Sequence, residues 1–190
     1  ILDNIEEEIC RELGVYVYSK RDETLESTIS EIFTEKAITL AVAESCTGGL
    51  VSNLLTNVQG SSAFFLGGIV SYSNKVKEDL LNVPEKLINE LGVISAEVAK
   101  AMASGARERI QADIGLAITG IAGPTGVDGN VDREKPVGLV YVATAINDEL
   151  ECKEYSFFGS RIDIKRRAAN AALNTLRLAL AGKVTKQRKH

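Results

Sequence analysis

An α/β fold, with a mixed sheet covered by helices on both faces, is what this sequence predicts, and three observations carry the prediction. Compact apolar runs such as AITLAVA (37–43) and IGLAITG (114–120) alternate with amphipathic stretches of helical period. The runs end in small-residue turns, ESCTGG and TGIAGPTG among them. One pair of runs, VGLVYVATAI (137–146) and LECKEYSFF (150–158), is separated by so few residues that an antiparallel hairpin joins them. Strand–helix alternation elsewhere places helices on both sides of the sheet.

The elements follow in order. Ile1, Ile5, Ile9 and Leu13 recur every four residues and form an apolar helical stripe that ends at Gly14. VYVYSK (15–20) reads as a short strand, and Thr24 caps a second helix, ETLESTISEIFTEK. AITLAVA is the first buried strand and runs through ESCTGG into helical LVSNLLTNV. FFLGGIVSY (64–72) is the second, followed by helical VKEDLLN, a helix begun by Pro84, and AEVAKAMASGARERI capped by Ser95. IGLAITG leads into the loop IAGPTGVDGNVDREKP, the hairpin follows, and IKRRAANAALNTLRLAL is the last amphipathic helix. A chain starting at Ile reads as a fragment or processed form. Residues 1–22 are expected to be the remnant of a preceding domain or a linker, 23–182 one domain, and 183–190 a basic tail.

Composition removes several function classes. The 190 residues are 45% apolar and 25% charged, as in ordinary globular proteins. No apolar run is long enough to span a bilayer, and ILDNIEEEIC is too acidic for a secretion signal. The three cysteines, Cys10, Cys46 and Cys152, are few and far apart, which argues for a reducing compartment, hence a cytoplasmic protein. Histidine occurs once, at the terminal His190, so histidine-based serine or cysteine catalysis and imidazole zinc sites are not expected. Any hydrolysis would need Lys, Tyr, Asp, Glu or water as proton acceptor. Residues 1–35 hold ten acidic and three basic side chains, 36–182 sixteen against fifteen, and 183–190 four basic ones. The body of the chain therefore offers no field for nucleic acid, and with 5% aromatics such a partner is not expected.

Four breaks between elements could carry chemistry, because ligands gather beyond the carboxyl ends of parallel strands. In Glu44-Ser45-Cys46-Thr47-Gly48-Gly49, Ser45 stands where strand gives way to helix, and the following N–H groups favour an anion or an oxyanion. A capping serine with a tight glycine turn fits the same letters. Cys46 competes as a nucleophile but reads as a small packing residue. In Tyr72-Ser73-Asn74-Lys75, a neutral Lys75 could take a proton from Ser45, with Tyr72 relaying it or orienting the amine. That requires a lysine pKa lowered by burial or a neighbouring positive charge. A surface lysine beside a core tyrosine is the plainer reading of this pair. The loop Thr119-Gly120-Ile121-Ala122-Gly123-Pro124-Thr125-Gly126 suits a sugar phosphate or a carboxamide, or simply connects. Arg161 has the planar fork that suits phosphate, or is a solvated loop residue. No Walker-type phosphate loop, dinucleotide turn or Ser-x-x-Lys pair occurs, and Asp128, Asn130 and Asp132 start a calcium-like loop that Arg133 and Leu139 break.

Together AVAESCTGGLVS, GGIVSYSNKVK, AITGIAGPTG, KPVGLVYVA and FFGSR resemble the five signature segments of the CinA C-terminal domain family, over about residues 25–181. The family's characterised members are nicotinamide-nucleotide amidohydrolases. The resemblance implies a three-layer α/β/α sandwich with a mixed, mostly parallel five-stranded sheet. It also implies metal-free, cofactor-free release of ammonia from nicotinamide mononucleotide in pyridine-nucleotide salvage, and a homodimer or larger homo-oligomer. It puts the serine nucleophile on Ser45 and the paired tyrosine and lysine on Tyr72 and Lys75. Cys46, Thr47, Gly48 and Gly49 would supply oxyanion contacts; Thr119, Gly120, Ala122, Gly123 and Arg161 would bind substrate. GVYVYSKRDETLES is similar to the junction into this domain in two-domain members. The alternative is a non-catalytic nucleotide-binding regulatory module of such a two-domain protein, which would need no lysine beside Ser45.

Overall fold

A computed structural model describes residues 2–123, 132 and 134–187, with side-chain surroundings described for residues 4–181 within those ranges. The chain forms α1 (Leu2–Leu13), a 3-10 turn (Gly14–Tyr16), α2 (Leu25–Lys36), β1 (Leu40–Glu44), α3 (Leu50–Thr56) and β2 (Phe65–Val70). It continues as α4 (Asn74–Leu81), α5 (Glu85–Leu91), α6 (Ala96–Ile110), β3 (Ile114–Gly120), β4 (Leu139–Ile146), β5 (Glu149–Ser156) and α7 (Arg161–Gln187). The sheet order is β2-β1-β3-β4-β5. β1 pairs in parallel with β2 and β3, whereas β4 is antiparallel to both β3 and β5. Four strands thus share one direction and β4 alone opposes them, which is the mixed, mostly parallel sheet expected.

Side-chain alternation along β1 divides the core into two layers. Leu40 and Val42 face α2, α3 and α7, where Ile29, Phe33, Leu55, Ala172 and Leu176 meet them. Ala41 and Ala43 face α4, α5 and α6, with Leu81, Ile88, Val98 and Met102. Helices therefore cover both faces. The second layer is built from small residues on strand and helix alike, so α6 lies close to the sheet. The predicted caps are present: the hydroxyls of Thr24 and Ser95 accept from the backbone N–H of Ser27 and Val98. Ser73 caps α4 in the same way.

One expectation for the amino-terminal stretch meets a correction. VYVYSK forms no strand: residues 14–16 make a 3-10 turn and 17–19 are irregular. A strand-like pattern becomes a strand only where a sheet edge accepts it, and both edges, β2 and β5, are paired on one side only, with other strands. The helix carrying Ile5, Ile9 and Leu13 forms, but its apolar stripe remains about half exposed. Among the described residues no helix is long and apolar enough to cross a membrane.

Candidate active site

The parallel strands β1, β2 and β3 end at Glu44, Val70 and Gly120, and β5, parallel to them in direction, ends at Ser156. All four loops singled out above leave the sheet at this one edge. They converge on a hollow of about 70 Å³ whose walls include Ser45, Cys46, Tyr72, Lys77, Ile94, Ala122 and Arg161. Gly120 and Gly123 line it as well.

The lysine beside Ser45 is Lys77, not Lys75. Lys75 is 81% exposed and pairs with Asp79 one turn along α4, at 3.1 Å. Positions 75 and 77 are about 200° apart around a helix, so only one of them can face the sheet. Lys77 is 1% exposed, and shares the buried face of α4 with Leu81. Its Nζ lies 3.3 Å from Ser45 Oγ and donates to the backbone carbonyls of Ser71 at 2.8 Å and Tyr72 at 3.5 Å. Burial pulls its pKa from 10.5 down to about 8, partly opposed by Cys46 and Asp132. A lysine so placed has a substantial neutral fraction near physiological pH, as a general base requires.

Tyr72 lies at the rim. Its side chain is 63% exposed, and the phenol oxygen accepts a hydrogen bond from Arg161 Nη2 at 2.9 Å. The phenol therefore meets the guanidinium, while the lysine amine meets the tyrosine's backbone carbonyl. The expected Tyr–Lys side-chain relay is not what the geometry provides. Arg161 opens α7 and also approaches Gly123, where an added Cβ would stand 3.0 Å from its Nη1. Tyr72 and Arg161 thus form a paired polar rim over the buried serine and lysine.

The loop after β1 is organised by Glu44, whose side chain is fully buried. One carboxylate oxygen accepts from the N–H groups of Gly49 (2.9 Å) and Val51 (3.1 Å). The other accepts from the N–H and hydroxyl of Ser52, at 2.8 and 2.7 Å. Donors at the start of α3 are thereby taken internally, and Gly48 N–H donates to Ser45 O at 3.1 Å. Gly48 and Gly49 consequently line a neighbouring hollow with Lys165 rather than the one at Ser45. Thr47 is buried away from the Ser45 hollow. The expected four-residue oxyanion cradle contracts toward Ser45 and Cys46. Burial pushes the Cys46 thiol up to about 12, so it stays protonated and packs, as its small-residue reading predicts.

Thr119 is also reassigned. It is fully buried, and its hydroxyl donates to Val93 O at 2.9 Å, so it supports the wall instead of touching the hollow. The predicted loop positions Pro124, Thr125 and Gly126 lie outside the described residues, as do Asp128 and Asn130. Glu44, Ser71 and Lys77 are site residues that the sequence reading did not assign. The clue for Lys77 was present: Asp79, four residues after Lys75, marks that lysine as the solvated one.

Comparison with known proteins bears on family and fold. Residues 22–180 match the family model described as CinA C-terminal domain. A CinA-like protein from Geotalea uraniireducens (strain Rf4) is 47% identical over 168 residues, covering 88% of this chain and 39% of that protein. The chain spans about two-fifths of the length of such curated relatives. Among solved structures, the competence damage-inducible protein A from Klebsiella pneumoniae subsp. pneumoniae superposes with a TM-score of 0.78 at 29% identity, covering 83% of this chain and 95% of that one. The competence/damage inducible protein CihA from Agrobacterium tumefaciens gives 0.76 at 38% identity, covering 83% and 93%. Family match, relatives and fold agree, and the chain belongs to the CinA C-terminal domain family.

Proposed function

We propose that the chain is a serine amidohydrolase acting on the carboxamide of a nicotinamide nucleotide, with Ser45 as nucleophile and Lys77 as its base. The observation that carries this reading is the contact between a buried, pKa-lowered lysine amine and the serine hydroxyl, 3.3 Å apart. A binding module has no use for that contact, since burying an amine without a task is unfavourable. In the free site Lys77 donates to Ser45. In its neutral form the amine lone pair would instead take the serine proton as Oγ attacks the amide carbon. Ammonia then leaves from the tetrahedral adduct with the proton held by Lys77, and water, activated by the same amine, hydrolyses the acyl-enzyme.

The shape supports a small reacting group on a larger body. A half-open hollow of about 70 Å³ suits a carboxamide head, leaving ring, ribose and phosphate across its mouth. Arg161, with its fork at the rim beside Tyr72, would take the anionic end. A cationic pyridinium in the mouth would withdraw electrons from the amide carbonyl and disfavour a protonated Lys77.

Ammonia release measured across nicotinamide, its riboside and its mononucleotide tests the reading. The mononucleotide should be the preferred substrate, and Ser45→Ala should reduce turnover by roughly a thousandfold or more while leaving the fold intact. Full activity in Ser45→Ala would remove the nucleophile assignment; binding without turnover in the unaltered protein would favour the regulatory module.

A further inference from the structure

One wall of the Ser45 hollow is an irregular segment between α5 and α6, Gly92-Val93-Ile94-Ser95, of which Val93 and Ile94 border the hollow. Gly92 N–H and Ser95 O bond to backbone, at Ile88 O and Ala99 N–H, while Gly92 O and the groups of Val93 and Ile94 are held by side chains. Asp132 accepts from Val93 N–H at 2.8 Å and from Ile94 N–H at 3.3 Å. Lys135 Nζ donates to Leu91 O at 2.9 Å and to Ile94 O at 2.8 Å. Thr119 takes Val93 O and Ser95 takes Gly92 O. Lys135 and Asp132 also pair directly, at 2.8 Å, with Asp132 only 2% exposed. Gly92, with φ +79°, is required here: an added Cβ would stand 2.3 Å from an Asp132 carboxylate oxygen.

Proton transfer from Ser45 uses none of these groups, yet a buried carboxylate facing a catalytic wall is costly unless it is satisfied and useful. We propose that Asp132 and Lys135 are positioning residues of the hydrolytic site: an internal ion pair that fixes the Val93–Ile94 wall and sets the electrostatic field at the Lys77 amine. The inference rests on Lys77 being the base of the amidohydrolase. Asp132 favours the charged form of Lys77, against the effect of burial. Lys135, neutralising Asp132, restrains that influence. The other charged or titratable groups lining the hollow with the amine are Cys46 from the β1–α3 loop, Tyr72 after β2 and Arg161 at the start of α7. The buried face of α6, packed against α4, carries only apolar residues. The two members of the pair therefore act on Lys77 with opposite sign, which a purely structural brace would not do.

The test is a titration of the Lys77 resonance in lysine-labelled protein, assigned by its loss in Lys77→Met, in the unaltered chain, Asp132→Asn and Lys135→Met. Removing the carboxylate charge should lower the Lys77 midpoint, and removing the Lys135 charge should raise it, each by roughly half a pH unit or more. Exchange of the Val93 and Ile94 amides should accelerate by roughly tenfold in Asp132→Asn. Midpoints that stay put or move the same way, or unchanged exchange, overturn the proposal. Should Asp132→Asn fail to fold, the direction in Lys135→Met decides alone: upward supports, static or downward overturns. If the unaltered protein releases no ammonia while the midpoints still move apart, the amidohydrolase reading falls and the placement of the pair stands.

Discussion

Replacing Lys77 with methionine is expected to abolish activity and, at neutral pH, to stabilise the fold. The amine is buried against Ser45, Ser71 and Tyr72, and its pKa falls from 10.5 to about 8 on folding. That drop corresponds to roughly 3 kcal/mol by which the folded state disfavours the charged lysine relative to the unfolded chain. Because the folded pKa is the lower of the two, the penalty is full below about pH 8, declines between about 8 and 10.5, and vanishes above. Methionine fills a similar volume without charge, but leaves Ser71 O without its 2.8 Å donor, at about 1–2 kcal/mol. The balance is a gain of about 1–2 kcal/mol at pH 7, turning to equality or a loss by pH 10. Urea unfolding of both proteins at the two pH values reads the difference directly. A methionine variant that is less stable at pH 7, or a difference that ignores pH, would refute the account of Lys77 as a strained, functionally retained amine.

Other outcomes follow from the same geometry. Amide hydrolysis should rise by roughly tenfold per pH unit below about pH 8 and level off above it, because only neutral Lys77 accepts the serine proton; a profile flat from pH 6 to 9 would exclude it as the base. Lys75→Ala should keep kcat/KM within roughly twofold, since that side chain is solvated and its ion pair with Asp79 is a surface one. Gly105→Ala improves helix propensity in α6 by about 1 kcal/mol, yet its Cβ would stand 2.0 Å from Leu81 O on α4. The clash should dominate, lowering stability by roughly 2 kcal/mol or more and the melting temperature by several degrees in calorimetry.

Most of the fold was legible because its signals are local. The third strand occupies Ile114–Gly120 as its pattern indicated, and Ser95 caps Ala96–Ile110 because a hydroxyl before an amphipathic run has one good use. The convergence of four loops was legible too, since strand direction follows from the connections. The partners of individual side chains were not. Lys75 and Lys77 differ only in which helix face they occupy, and the apolar residues Val76, Leu80 and Leu81 do not settle which face is buried until the sheet is placed. Glu44 shows the same limit: an acid closing a buried apolar run needs donors, but only the folded loop reveals that they are the start of α3. Thr119, named for its loop, serves the wall through Val93, a contact between residues 26 apart in sequence.

Glu44 has one last consequence. An internal carboxylate already sits where an incoming phosphate or carboxylate would otherwise dock on the α3 amides, held by four hydrogen bonds. The backbone around Ser45 is in this way wired before any guest arrives, and common inorganic anions have little purchase on the α3 amides. Readiness at rest is what that single acid gives the protein.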